Sequence, residues 1–498
     1  MRCLWFFLLL LPATLIAQLR IISPIKEHMV LQRDKKITII GVGEPGSNIR
    51  FQFDGLSLLT EVDQEGSWTI VLPPRNANGV PQDINLYSGK EHVVITDILI
   101  GDLWVCIGQS NMEWPMQKEM YYNDWKDYAN PSMRFYNPSY AGKNIFNAPF
   151  SDSVLKRLNP ERFYEGRWES CDPRSLASMS AVAFYFGKML SDALRVPIGL
   201  INLSIGGAPL ETFISKEALY AQSKFAPKLS DNWILNDALP VWIRERGMQN
   251  VGRLQNPPSD SYGPFHGFKP GFAFSSGIRP FSRIPIAGII NYQGESNAQE
   301  LERVLEYNDL TEVMLRDFRN NWNDPSLPYY YVQLSSIDTL KYKGHLWTLF
   351  RDQQRLFLGK DKFSGMAVSS DIGARNDVHP TNKKLVGERL ALQALDKKYK
   401  KKIVSSGPLP LKAMYRKGVL RIQFLHAVNG LTTVGNEAVH GFSLDGIQEV
   451  PATISGSEIL IQTSKKPAFV YYGWKSFSDG NLINKDGLPA STFKMKIK

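Results

Sequence analysis

Cysteine is scarce: the 498 residues contain three, Cys3, Cys106 and Cys171, too few for a disulfide framework to carry the fold. Long hydrophobic runs are scarcer still. The one extended apolar run, residues 3–11, falls short of the ~20 residues that cross a bilayer, so no integral membrane segment is expected after it. Low-complexity tracts are missing, and 38 glycines and 30 prolines follow no period, which excludes a mainly disordered or collagen-like chain. No Gly-x4-Gly-Lys-Ser/Thr loop and no His-Glu-x-x-His motif occurs, so the usual phosphate-loop and zinc signatures are absent. Acidic residues are in deficit. Lysine and arginine total 58 against 48 aspartates and glutamates, a formal charge of +10, which suits an acidic glycan and gives no specific sign of nucleic acid.

What is present begins with a leader. Met1 and Arg2 start the chain positively, the apolar run follows, and Pro12 to Ala17 ends in a small residue. That is the layout of a secretory signal peptide over residues 1–17, and it predicts a secreted or periplasmic protein. Residues 18–98 show short alternating runs such as Ile49-Arg50-Phe51-Gln52-Phe53, punctuated by Gly43-Glu44-Pro45-Gly46 and Asp54-Gly55, and predict a small β domain. Residues 397–498 have the same texture and predict a second β-rich domain.

Residues 99–396 differ. Five apolar runs of strand length, at 103–107, 198–203, 287–292, 329–334 and 366–371, alternate with helical patterns. This predicts an α/β domain with a five-stranded parallel sheet covered on both faces. Residues 216–279 read as an insertion within it. Ligands of such sheets sit beyond the carboxyl ends of the strands.

Four of those ends are polar: Gly108-Gln109-Ser110-Asn111-Met112, Ser204-Ile205-Gly206-Gly207, Gln293-Gly294-Glu295-Ser296-Asn297 and the stretch from Asp371 to His379. A serine on a tight turn at a strand end is placed as a nucleophile must be, and it needs a base. Of seven histidines, only His379 follows directly from a strand-end loop of this sheet. Asp377 stands two residues before it and Asp371 is the more distant alternative for orienting the imidazole. Gly206 and Gly207 could expose backbone N–H groups, and the Gln293 amide could add a third donor to an oxyanion hole. Glu295 reads either as a pocket carboxylate or as a structural hydrogen-bond partner. Each turn alone is ordinary; their convergence on one sheet edge favours a serine hydrolase. A glycosidase pair of Glu211 and Glu295 would leave Ser110 and His379 unused. Gly-x-Ser-x-Gly is also absent, so an α/β-hydrolase elbow does not fit.

These motifs, in this order, resemble the sialate O-acetylesterase family of SGNH-type hydrolases. The resemblance extends to His28-Met29-Val30-Leu31-Gln32-Arg33 in the first β domain and Gly487-Leu488-Pro489-Ala490-Ser491 near the end, and covers nearly all of the chain after the leader. It implies a three-layer α/β/α catalytic domain and an O-acetylated carbohydrate as substrate. It further implies Ser110, His379 and Asp377 as catalytic residues, Gly206, Gly207, Gln293 and Glu295 at the oxyanion hole and pocket, and no metal or cofactor. Asn291, Ala208 and Phe213 depart from the family pattern and are expected to flank the sugar. O-acetylated sialic acid is the leading substrate; acetylated xylan, or a glycan-binding protein without catalysis, are the alternatives.

Overall fold

A computed structural model describes residues 18–338 and 344–498; the expected leader lies outside them. Among the described residues no helix is long and apolar enough to cross a membrane, and Cys106 and Cys171 are free and buried.

Along the chain, the elements that position the site are as follows. Strand β1 (Glu91–Gly108) leads into the short helix α1 (Ser110–Glu113). Next come β2 (Asn130–Tyr136), β3 (Trp168–Cys171), α2 (Ala181–Leu194) and β4 (Ile198–Asn202). Helix α3 (Val241–Gly247) precedes β5 (Gly288–Tyr292) and α4 (Leu301–Asn321). The last are β6 (Tyr329–Gln333), α5 (Trp347–Phe357), β7 (Ser364–Val368) and α6 (Lys384–Lys397).

The central sheet runs β3-β2-β4-β1-β5-β6-β7. All five expected strands are in it, and β4, β5, β6 and β7 are buried along their whole length, as strands covered on both faces must be. The sheet has six parallel strands rather than five. Strand β2 pairs parallel with β4, and β3 closes the edge antiparallel to β2. The sixth was hidden because Asn130-Pro131-Ser132-Met133-Arg134 has no continuous apolar run; at the sheet margin only Met133 to Phe135 are buried.

Successive residues of β6 show how the layers form. Tyr331 packs its ring on Phe357 of α5 and donates to the Gln354 carbonyl at 2.6 Å, while Tyr330 tilts against Trp104 on the other face, as the two-residue period requires. Trp104 in turn meets Phe186 of α2 edge-on at 4.9 Å. Helices α2 and α6 pack at close range: a Cβ on Gly387 would come within 2.6 Å of the Val182 carbonyl oxygen. Helix α2 starts at Ser180, whose hydroxyl accepts from Ala183 N–H, and ends at Arg195 in the left-handed region. The architecture is mixed α/β with several sheets.

The boundary expected at residue 98 falls inside β1, an 18-residue strand whose first half pairs with Asn78–Ser88 and whose second half is the centre of the parallel sheet. Val30–Gln32 joins it in parallel at Leu99 to Gly101. Gln32 accepts from the Leu103 N–H at 2.9 Å and Arg33 grips Asp102 through two bonds of 3.0 Å. The C-terminal strands have their own apolar core, from Ala413 to Ile497.

Trp104 is fully buried at the sheet centre. Trp104→Ala is expected to cost about 3–5 kcal/mol, and Val71→Ala on an exposed strand position less than about 0.5 kcal/mol, as read from denaturant unfolding.

Candidate active site

The sheet order reverses at β1: the chain moves to β2 and β4 on one side, then to β5, β6 and β7 on the other. Crevices form where the order reverses, and here the end of β1 delivers Ser110. The turn is tight. Gly108 has φ +135°, and a Cβ there would lie 2.2 Å from the Tyr292 carbonyl oxygen, so only glycine lets β1 and β5 end this close together. Ser110 is the first residue of α1, so its N–H is one of the helix donors without an intrahelical partner.

His379 Nε2 lies 2.8 Å from Ser110 Oγ. The imidazole stacks on Trp114, with ring centroids 5.3 Å apart. Asp377 accepts the His379 backbone N–H at 2.8 Å and lies 3.5 Å from Nδ1. Its side chain is more than half exposed. Asp371, the alternative, is held away in two 2.7 Å bonds to Arg389. Burial and the nearby Lys383 cation hold His379 below its ordinary value, with Asp377 pulling the other way and Lys118 adding a smaller downward push. The imidazole is therefore a free base near neutral pH, the form that can take a proton.

The other expected residues are placed as follows. Gly206 lies beside the nucleophile: a Cβ on it would be 3.9 Å from Ser110 Cβ. Its N–H donates to the Tyr140 hydroxyl at 3.1 Å. Gly207 has φ +80° and packs under Phe268 and Trp242, so residues 216–279 wall this turn. Gln293 is sealed behind it, donating to Asn297 Oδ1 at 2.7 Å and accepting from Tyr307 at 2.8 Å. Glu295 is 1% exposed and accepts from Asn111 at 2.5 Å; it acts beneath the pocket, not at its surface. Glu211 belongs to a separate buried cluster with Lys228 at 2.9 Å and Asn297 at 3.0 Å. Asn291 bonds Tyr329 at 2.6 Å and Phe213 is fully buried, so neither flanks a sugar.

Sequence reasoning missed Asn111 and Lys383 as a pair. The Asn111 amide is saturated: its oxygen accepts from Lys383 Nζ at 2.5 Å, and its nitrogen donates to Glu295 and, at 2.9 Å, to the Val378 carbonyl. The Lys383 amine donates at one end of the amide and the Glu295 carboxyl accepts at the other, which polarises it in the same sense. Burial pulls Lys383 down to about 7 and pushes Glu295 up to about 7. The signal available was position alone: Asn111 follows the serine, and Lys383 stands four residues after His379, just before α6 begins.

The geometry is that of a base-activated serine. A profile of the sialic acid-specific acetylesterase type of carbohydrate esterase matches residues 275–396. The chain is 27% identical to the sialate O-acetylesterase of Mus musculus over 79% of its length and 76% of that protein's, and 27% identical to that of Homo sapiens over 82% and 77%. In three dimensions it is similar to a carbohydrate acetylesterase from Xanthomonas citri, with TM-score 0.77, 28% identity, and 96% of this chain and 99% of that one covered. The chain is a carboxylic ester hydrolase, similar over most of its length to the sialate O-acetylesterases.

For this esterase the Lys383 cation has a measurable consequence. Lys383→Gln removes a charge that disfavours the imidazolium, so His379 takes its proton at higher pH. The acid limb of the kcat/KM profile on an aryl acetate is then expected to move up; an unmoved or lowered limb contradicts the account.

Proposed function

We propose that the protein is a secreted serine esterase that removes O-acetyl groups from carbohydrate, with O-acetylated sialic acid as its favoured substrate, on an SGNH-type catalytic domain flanked by two β-rich modules. The observation that carries this reading is the 2.8 Å approach of Ser110 Oγ and His379 Nε2 at the switch point of the sheet. The names of the mouse and human relatives support the sugar, and the Xanthomonas citri enzyme supports the ester.

In this mechanism Ser110 Oγ attacks the acetyl carbonyl carbon as His379 Nε2 takes the hydroxyl proton. The Ser110 N–H and the Gly206-Gly207 turn meet the developing oxyanion. His379 then passes its proton to the departing sugar oxygen, leaving an acetyl group on Ser110. Water, deprotonated by the same imidazole, releases acetate. Asp377 favours the imidazolium by charge, weakly, because it is exposed at 3.5 Å. The leader at residues 1–17 directs export, and the mature chain begins near Gln18.

Ser110→Ala and His379→Ala are each expected to lower acetate release by about 10⁴-fold or more, and Asp377→Ala by about tenfold. Acetate release is measured across 9-O-acetylated sialic acid, acetylated xylo-oligosaccharides and an aryl acetate. Failure of the folded wild type to release acetate from any of them refutes the esterase reading.

A further inference from the structure

Among the described residues, buried cations are partnered with one exception. Arg134, Lys228, Lys269, Arg351, Lys383 and Arg389 each donate to a carboxylate or a carbonyl oxygen. Arg246 is as well buried, at 7% exposed, and has no such bond. Its Nε and Nη1 are shielded from solvent without an acceptor, and burial lowers its pKa from the ordinary value with no carboxylate acting against it. Two residues earlier on the same helix, Arg244 does have its acid, Asp237 at 2.7 Å. Holding a guanidinium out of water without an anion is costly, and a site that keeps one there is arranged for an anion that arrives from outside.

Its position says which anion. Arg246 lies on α3 with its Cζ 4.8 Å from the Trp242 ring and 5.1 Å from that of Phe146. Trp242 donates its indole N–H to the Gly207 carbonyl at 3.4 Å, and Gly207 follows the glycine that lies against Ser110. One aromatic side chain therefore separates the unpaired guanidinium from the turn beside the nucleophile. The guanidinium lies against both rings, and a planar fork suits a carboxylate, which it can hold through two parallel bonds.

Resting on the esterase reading, we infer that Arg246 is a specificity residue that binds the carboxylate of an acidic O-acetylated sugar while its acetyl ester lies at Ser110. A substrate entering beside Trp242 meets Nη2 first, the nitrogen outside the shielded pair, and a small rotation of the side chain brings Nη1 to the second carboxylate oxygen. The wall formed by residues 216–279 thereby selects for charge, while the strand-end turns perform the hydrolysis. Neutral acetylated sugars leave the guanidinium without an anion and forgo this contribution.

The test compares two ratios. In wild type, kcat/KM for O-acetylated sialic acid should exceed that for its methyl ester by about tenfold or more, and Arg246→Met should reduce this ratio by about 10–100-fold, chiefly through KM. Arg246→Lys, which keeps the charge and loses the fork, should fall between. A second measurement needs no variant: free sialic acid should inhibit aryl acetate hydrolysis by wild type at a concentration about tenfold lower than its methyl ester does. Equal inhibition by acid and ester, or an acid-to-ester ratio that Arg246→Met leaves intact, overturns the inference. Both results can be obtained while aryl acetate hydrolysis remains dependent on Ser110, so loss of the inference is distinct from loss of the esterase reading.

Discussion

The approach of two strand ends, β1 at Gly108 and β5 at Tyr292, governs everything at the site. A side chain at residue 108 would press into the Tyr292 carbonyl, and the Gln109 N–H bonds that same carbonyl at 3.1 Å. The contact fixes the direction in which the chain leaves β1, and so where Ser110 stands. It also sets the residues after β5 directly behind the nucleophile turn: the Ser296 N–H reaches Gln109 Oε1 at 3.1 Å. A site built on rigid strand ends needs little from its loops except a base.

That base arrives on a long loop, and three buried groups hold it. Asn111, next to the nucleophile, binds the carbonyl of Val378, next to the base. The pairing works through neighbours, which leaves Ser110 Oγ and the imidazole free to move a proton. Lys383 and Glu295 complete the arrangement from opposite ends of the same amide. Each is costly to bury alone, and together they make one asparagine orientation far better than its flipped alternative, because a flip would face an amide NH₂ to the ammonium and an oxygen to the carboxylate. Orientation is thus set by electrostatics where a loop could not supply it by packing.

The sequence was legible where one physical rule acts alone. Continuous apolar runs between helical patterns marked five central strands, and polar residues at their ends marked the edge that carries Ser110 and His379. It was opaque where burial decides. Nothing local distinguishes Glu295, sealed under the turn, from a carboxylate at a pocket rim, and Gln293 looks like an oxyanion donor until Asn297 and Tyr307 are found around it. Strand β2 was hidden by polar residues that a margin tolerates. Arg246 gave no signal at all, since a lone arginine on a seven-residue helix ordinarily lies in water, and only the missing acid in three dimensions sets it apart.

The C-terminal strands pack against the loop that carries the base. Arg351 of α5 is fully buried; its guanidinium donates to the carbonyls of Gly473, Lys475 and Ser476. The same segment returns the contact, with the Ile337 N–H on the Ser476 carbonyl at 3.0 Å and the Ser478 N–H on Ser336 Oγ at 3.2 Å. Ser336 presses against Gly373 so closely that a Cβ there would be 2.1 Å from its carbonyl oxygen, and Gly373 opens the stretch that ends in His379. The guanidinium of Arg375 in that stretch sits 4.2 Å from the ring of Phe477. The loop carrying the base is thus held between the segment after β6, through Ser336 on Gly373, and the C-terminal turn that carries Phe477, through Arg375.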